Sequence, residues 1–265
     1  MMRVRFDEPR PLTCHILLTT ACNYDCEGCF YRRDESRDIP FDRLVPLLED
    51  LASEGVKSIA FGGGEPTLYP RINEAVHVAK KLGFYVAVTT NGATKHDFDT
   101  PPDRVHISYD AMHREAIKRN LGVIPFVHVK DVLKHYKDRG ITVGINHIYH
   151  SYPYFNHVDI VFSEADNITI LLEKPVRDGE RGHVVHHWKQ LEEHIAGSER
   201  YWLDACLVKL MRGMPCKQGI SSFSIDQNLV AHRCSNTGAG IPYTTVKEIW
   251  QQLTGISDCI LPRRA

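Results

Sequence analysis

Residues 12–29 read LTCHILLTTACNYDCEGC, an apolar run that leads directly into three cysteines. The segment from Leu12 to Thr20 is short and mostly apolar, which is typical of a strand buried on both faces. The next element is a helix over residues 41–53, where four leucines recur at helical spacing. A buried strand followed by an amphipathic helix is the repeating unit of a parallel α/β fold.

The same alternation of strands and helices continues to about residue 175. Further strands are predicted at residues 56–61, 85–90, 104–108, 141–148 and 167–172, with helices at 71–82, 125–139 and 153–165. Six such units predict a partial (β/α)6 TIM-like barrel over residues 1–177. In such a barrel the functional residues lie at the carboxyl ends of the strands.

The pattern changes after Pro175. Residues 186–195, 199–212 and 244–253 are predicted helices, and residues 221–225 and 229–232 are predicted to form a β-hairpin. We therefore expect a second, smaller domain over residues 178–265, built from a hairpin and helices.

Composition narrows the class of protein. The 265 residues are 43% hydrophobic and 25% charged, as in an ordinary folded domain. The formal net charge of −1 gives no overall field that would attract nucleic acid or an anionic membrane. No apolar run approaches the 18 or so residues of a membrane-spanning helix. These features predict a cytoplasmic protein with no membrane partner and argue against a nucleic-acid partner, while nucleic acid as a substrate stays a third option.

Cys22, Cys26 and Cys29 form a CxxxCxxC motif in the loop after the first strand. Three thiolates on a short loop can hold one metal centre, and an iron–sulfur cluster held this way keeps one iron open. A zinc site completed by a histidine or a later cysteine is the alternative. Cys14 lies within the strand itself and is interpreted as a small core residue.

A second motif, FGGGEP at residues 61–66, closes the second strand. Glycines at this position let the backbone approach a ligand closely and present its N–H and C=O groups. A plain turn between strand and helix is the alternative interpretation of the glycines alone.

The two motifs, with Thr89-Thr90-Asn91-Gly92 after the third strand and Ser108-Tyr109-Asp110 after the fourth, resemble the radical S-adenosylmethionine (radical SAM) enzymes. The resemblance implies a [4Fe–4S] cluster on Cys22, Cys26 and Cys29, with S-adenosylmethionine (SAM) bound at its open iron. It implies that the SAM amino group contacts Gly63, Gly64 and Glu65. The other cofactor-binding candidates are Pro66, Asn91, Ser108 for the ribose or carboxylate, Asp110, Arg119 for the carboxylate with Arg114 as its rival, and Phe30. The family usually has an aromatic residue before the last cysteine, whereas this chain has Gly28 there and Phe30 just after it.

The resemblance also implies an activity. One electron from a donor such as flavodoxin or ferredoxin would cleave SAM to methionine and a 5′-deoxyadenosyl radical, which abstracts hydrogen from a substrate. A peptide is the expected substrate, and a small sugar, an alcohol metabolite or a nucleotide is the alternative. Glu173 and Arg177, which flank Lys174 after the sixth strand, are candidates for catalysis or substrate binding. A non-catalytic iron–sulfur or zinc protein that senses redox state remains a different class of interpretation.

Four further cysteines, Cys206, Cys216, Cys234 and Cys259, lie around the predicted C-terminal hairpin. This arrangement resembles the SPASM and Twitch extensions of radical SAM enzymes, and the resemblance implies one auxiliary [4Fe–4S] cluster. A structural zinc site or buried thiols are the alternatives. His183 and His187 are spaced as one helix face, but without an HExxH pattern they are interpreted as a polar helix start.

Overall fold

The computed structural model describes residues 11–26, 29, 36–173, 187–213, 218–234 and 240–254. The strands are β1 (Thr13–Thr19), β2 (Ser58–Gly63), β3 (Tyr85–Thr90), β4 (Arg104–Ser108), β5 (Thr142–Tyr149), β6 (Asn167–Leu172), β7 (Tyr201–Leu203), β8 (Ser222–Ile225), β9 (Val230–His232) and β10 (Ile241–Pro242). The helices are α1 (Phe41–Ser53), α2 (Ile72–Lys81), α3 (Ala111–Leu121), α4 (Pro125–Lys137), α5 (Tyr152–Val161), α6 (Trp188–Ile195), α7 (Ala205–Arg212) and α8 (Val246–Thr254).

The chain has the predicted α/β fold and divides into two compact units. The first contains Met1–Ala21, Arg33–Ala87 and Lys217–Cys259, and the second contains Cys22–Arg32, Val88–Cys216 and Ile260–Ala265. Strand β3 begins in the first unit and ends in the second. The domain boundary predicted between residues 177 and 178 falls outside the described residues and stays a prediction.

Strand β1 lies at the centre of the first unit, where it pairs in parallel with both β2 and β8. Cys14, Ile16 and Leu18 point to one face of β1 and are fully buried. The predicted hairpin is confirmed, since β8 and β9 pair antiparallel, and β10 adds a short third strand to it.

Asp50 of α1 holds the C-terminal segment of this unit. Its Oδ2 accepts a hydrogen bond from the Tyr243 hydroxyl and another, 2.7 Å long, from the backbone N–H of Val246 at the start of α8. Burial and the Asp50 carboxylate raise the pKa of Tyr243 well above its usual range. The Tyr243 hydroxyl therefore stays protonated and can donate.

We expect Asp50→Ala to lower the free energy of unfolding by about 2 kcal/mol, because it leaves two donors without their acceptor. Chemical denaturation followed by circular dichroism measures the change. Glu49→Ala, one residue away on α1 and solvent-exposed, is the matched control and should change stability by less than about 0.5 kcal/mol. Equal effects of the two substitutions would contradict the role given to Asp50.

In the second unit, the parallel strands β4, β5, β6 and β7 follow one another in the sheet in that order. Buried and partly exposed side chains alternate along β5. His147 and Tyr149 contact the Phe155 ring of α5 on the buried face. Ser108 and Asn146 are directly opposite each other on neighbouring strands and belong to the other, partly exposed face.

The helix predicted at residues 199–212 is wrong in its first half. Residues Tyr201 to Leu203 form β7, a seventh parallel strand, and the helix begins only at Ala205. Asp204 ends the strand and caps the helix, since its carboxylate accepts a hydrogen bond from the Leu207 N–H. Two bulky aromatic residues favour the strand locally, and the cap fixes where the helix begins.

Helix α3 was not predicted. It begins at the N-cap Asp110, whose side chain accepts from the His113 N–H, and ends at Gly122 in the left-handed conformation (φ 65°). Only Ala116 and Ile117 are buried on it, so it has little hydrophobic periodicity. None of the helices in the described ranges has the length and apolar character needed to cross a membrane.

Candidate active site

The cysteine loop follows β1 and brings three thiols into electrostatic contact. Burial, together with the nearby Cys29, Asp110 and Cys22, raises the pKa of the Cys26 thiol to about 12. The backbone N–H of Cys29 donates to the Cys26 carbonyl across 3.2 Å. A thiol in this environment ionises only when a cation replaces its proton, as a metal does when it coordinates sulfur.

The donor chemistry of this loop fits an iron–sulfur cluster. In the described part of the chain, no group of three or more histidine, cysteine, aspartate or glutamate side chains is placed to hold a single metal ion. A [4Fe–4S] cluster binds each cysteine at a different iron, so three separate thiols on one loop suit it.

Asn91, which the sequence predicts as a cofactor residue, holds the cysteine loop. Its side-chain N–H group donates to the Asn23 Oδ1 at 2.8 Å and lies 3.6 Å from the Cys22 Sγ. Its Oδ1 accepts from the Ala93 N–H at 2.8 Å, which fixes the side-chain orientation. In iron–sulfur proteins, an N–H group that points at a thiolate ligand tunes the reduction potential of the cluster.

Helix α3 contacts the same cysteine loop through residues near the C-terminus of the helix. Arg119 and Asn120 both donate to the Asp25 Oδ1. The hydrogen bond from Arg119 lowers the pKa of Asp25. Arg119, predicted to bind the SAM carboxylate, thus has a protein carboxylate as its partner, and its SAM contact stays a prediction. The pairing of Arg119 with Asp25, 94 residues away, has no signal in the sequence.

Asp110 lies at the N-terminus of α3 and is buried. Burial alone would raise its pKa, but the His113 ring and the His113 N–H lower it below the usual value. The His113 Nδ1 is 2.9 Å from the Asp110 Oδ2. The carboxylate stays charged close to Cys26 and raises the pKa of the Cys26 thiol.

The glycine motif of the first unit packs against the chain that leads into the cysteine loop. The N–H groups of Gly64 and Glu65 donate to the carbonyls of Thr19 and Ala21, at 2.8 and 2.7 Å. A Cβ on Gly64 would lie 2.3 Å from the Ala21 oxygen. The glycines therefore allow close approach between two backbone segments, whereas the sequence suggested close approach of a ligand.

Glu65 is only 1% exposed, and its Oε1 accepts hydrogen bonds from the N–H and the hydroxyl of Thr67. These bonds cap the short 3₁₀ turn Pro66–Leu68. Contacts of SAM with Gly63, Gly64, Glu65 and Pro66 stay predictions.

The carboxyl end of β5 carries polar groups that the sequence analysis missed. His147 is fully buried, and its Nδ1 is 2.9 Å from the Tyr109 carbonyl. Burial lowers the pKa of His147 to about 4, so the ring is neutral, and a proton on Nδ1 leaves Nε2 as an acceptor. Within the described residues, the His147 Nε2, the Asn146 Oδ1 and the Tyr154 hydroxyl are buried without a hydrogen-bond partner. Because successive residues of a strand point to opposite faces, His147 and Asn146 serve different sides of β5.

The remaining predicted residues are divided between the described and undescribed parts of the chain. Glu173 lies at the end of β6, with its Oε2 3.6 Å from the His150 Nδ1. Ser108 is at the end of β4. Cys206 is buried on α7 in the second unit, and Cys234 follows β9 in the first. Phe30, Arg177, Cys216 and Cys259 lie outside the described residues, as do Lys174 and His183.

Two curated relatives are similar to part of this sequence. A Pyrococcus furiosus protein, the tungsten-containing aldehyde ferredoxin oxidoreductase cofactor-modifying protein, is 38% identical over 87 residues, 31% of this chain and 24% of that protein. A probable GTP 3′,8-cyclase of Saccharolobus solfataricus is 33% identical over 142 residues, 50% of this chain and 46% of the relative. The chain thus spans less than half the length of these curated relatives.

The fold is similar to solved structures over most of the chain. Streptococcus suis SuiB, crystallised with its precursor peptide SuiA, matches with a TM-score of 0.71 at 16% identity, covering 93% of this chain and 66% of SuiB. SuiB bound to S-adenosylmethionine matches with a TM-score of 0.69 at 15% identity, covering 93% of this chain and 68% of SuiB. A sequence profile described as the Radical SAM superfamily matches residues 16–161, more than half of the chain and all three motif cysteines. The chain therefore belongs to the radical SAM superfamily, whose members are enzymes.

Proposed function

We propose that this enzyme holds a [4Fe–4S] cluster on Cys22, Cys26 and Cys29, binds SAM at it, and modifies a peptide by hydrogen abstraction. When bound, the two cofactors supply the radical that removes the hydrogen. The single observation that carries the proposal is the cysteine loop, where Cys22 and Cys29 lie close enough to Cys26 to raise the pKa of its thiol. Superfamily membership supports the same assignment.

The chain's own residues position the cysteine loop. Asn91 and the pair Arg119–Asn120 anchor the cysteine loop at two points through Asn23 and Asp25. In the first unit, Glu65 and the glycines fix the backbone immediately before Cys22. Loops fixed in this way keep cluster ligands oriented before the cluster binds.

The end of β5 offers hydrogen-bond acceptors for a cofactor or substrate. The His147 ring stays neutral above about pH 4. Its Nε2 can therefore accept a hydrogen bond and does not repel a cation. The Tyr154 hydroxyl lies on the same side of β5 as His147, whereas the Asn146 Oδ1 belongs to the opposite face, with Ser108. Amide and amino N–H groups are suitable partners for these acceptors.

A peptide substrate is favoured because the similar SuiB structure holds a precursor peptide. A nucleotide or other small metabolite is the second candidate, since the Saccharolobus relative is a probable GTP 3′,8-cyclase. The proposal includes one auxiliary [4Fe–4S] cluster on Cys206, Cys216, Cys234 and Cys259, in a Twitch-like extension.

Anaerobic reconstitution with iron and sulfide tests the proposal. We expect about eight irons per chain with the auxiliary cluster and about four without it. With SAM and dithionite, 5′-deoxyadenosine should then form, as measured by chromatography. Bound zinc with no deoxyadenosine would contradict the proposal. Transfer of deuterium from a labelled peptide, but not from labelled GTP, into 5′-deoxyadenosine would identify the substrate class.

A further inference from the structure

Among the described residues of the second unit, the short strand β7 is the last strand of the sheet. It pairs in parallel with β6 on one side. The carbonyl of Arg200 accepts from the Ile168 N–H, and the N–H of Asp204 donates to the Ile170 carbonyl. Peptide groups of alternate residues in a strand point in opposite directions. The N–H and C=O groups of Tyr201 and Leu203 therefore point away from β6, toward the open edge.

A cavity of about 550 Å³ lies along this same edge. Its apolar lining comes from Ile195, Leu203 and Val208, and its charged lining from Glu192 and Arg212, which are 3.4 Å apart. Ala196, Gly197, Ser198 and Tyr201 complete the lining. The cavity is large enough for one or two amino-acid side chains and lies next to the backbone groups of Tyr201 and Leu203 that point away from β6.

A polar network holds β7 in place. The Tyr201 hydroxyl donates to the Asp159 Oδ2 at 3.0 Å and lies 3.1 Å from the His194 Nε2. Arg200 pairs with the Asp159 Oδ1 and donates to the Phe162 carbonyl at 2.8 Å. Because α5, α6 and β7 are connected in this way, the edge is already ordered and needs little rearrangement to accept another strand.

We propose that β7 binds an extended peptide segment, which adds a strand to the sheet and places a side chain in the adjoining cavity. An extended backbone is the ligand that matches outward N–H and C=O groups at alternate residues. The apolar lining of the cavity favours an aliphatic or aromatic side chain of the peptide. Glu192 and Arg212 suit a polar side chain of the peptide beside it. This inference rests on the proposed peptide substrate. It says where an extended segment of that peptide binds, and it does not say which peptide residue loses hydrogen.

The probe is a phage-displayed library of random dodecapeptides panned on the reconstituted full chain. Enriched peptides are synthesised with a fluorophore and titrated by anisotropy against three variants. Leu203→Pro removes the outward N–H but leaves the bonds to β6, since those use neighbouring residues. Leu203→Val is its control, because it shortens the side chain but keeps the N–H. Ala196→Trp fills the cavity without altering β7.

We expect the dissociation constant to rise about tenfold in Leu203→Pro and in Ala196→Trp, and less than about twofold in Leu203→Val. Hydrogen exchange at the Leu203 amide should slow when the peptide binds the wild-type protein. Unchanged affinity in the proline and tryptophan variants, or no enriched peptide, would overturn the proposal. SAM cleavage measured in parallel separates this result from failure of the proposed function, because peptide binding at β7 needs no radical chemistry.

Discussion

Gly64→Ala is expected to destabilise the protein by about 3 kcal/mol or more, which corresponds to a fall in melting temperature of about 10 °C. The added Cβ would lie 2.3 Å from the Ala21 carbonyl oxygen and 2.7 Å from that of Thr20. Both atoms belong to backbone, so neither can rotate away as a flexible side chain would. The segment that leads into Cys22 must shift, and the hydrogen bonds from Gly64 and Glu65 to Thr19 and Ala21 are strained.

The matched control lies two residues earlier in the same motif. A Cβ on Gly62 would have its nearest neighbour, the Leu17 Cδ2, 4.0 Å away, which is ordinary contact. Gly62→Ala should therefore melt within about 2 °C of the wild type. Thermal unfolding of the cluster-free proteins, followed by circular dichroism, separates this packing effect from any effect on cofactor binding. Similar melting temperatures for the two variants would refute the close backbone contact.

The parts of the fold that could be predicted were those with strong hydrophobic periodicity. Helix α1 and strands β3, β4 and β6 have the predicted limits, because their apolar residues recur at a helical or alternating period or form a short buried run. Helix α3 could not be predicted in this way, since it buries only Ala116 and Ile117. Strand β7 has only three residues, and in the sequence it runs directly into the helical pattern of α7. Its pairing with β6, which the sequence does not show, decides its structure.

The candidate site was predictable in its motifs but not in its contacts. The sequence identifies the cysteines, the glycines and Asn91, because their residue types and order carry the family resemblance. It does not indicate that Asn91 bonds to Asn23 or that Arg119 bonds to Asp25, since those pairs are 68 and 94 residues apart. Such contacts depend on how the strands are ordered in space. The buried His147 was missed because one histidine in a strand has no distinctive pattern.

Cys26→Ala is expected to abolish formation of 5′-deoxyadenosine and to remove about four irons per chain after reconstitution. Cys26 is the buried member of the loop, between Cys22 and Cys29, and two remaining cysteines do not hold a cluster in place. The cluster-free protein should lose less stability than Cys14→Ala, because Cys26 lies in a loop and is 8% exposed, whereas Cys14 is 0% exposed within a strand. Iron analysis, the visible absorption of the cluster and chromatography of the SAM products measure these effects.

Cys14→Ala is the control that separates a ligand from a core residue. Cys14 is fully buried in β1, and burial raises the pKa of its thiol well above the usual value. Its loss leaves a small cavity, so stability should fall by about 1 to 2 kcal/mol while the iron content and SAM cleavage stay at wild-type levels. The two cysteine variants should thus show opposite patterns, one losing iron with the smaller loss of stability, the other losing more stability and keeping iron. If Cys14→Ala lost iron as Cys26→Ala does, unfolding rather than ligand loss would explain both, and the assignment of Cys26 as a cluster ligand would fail.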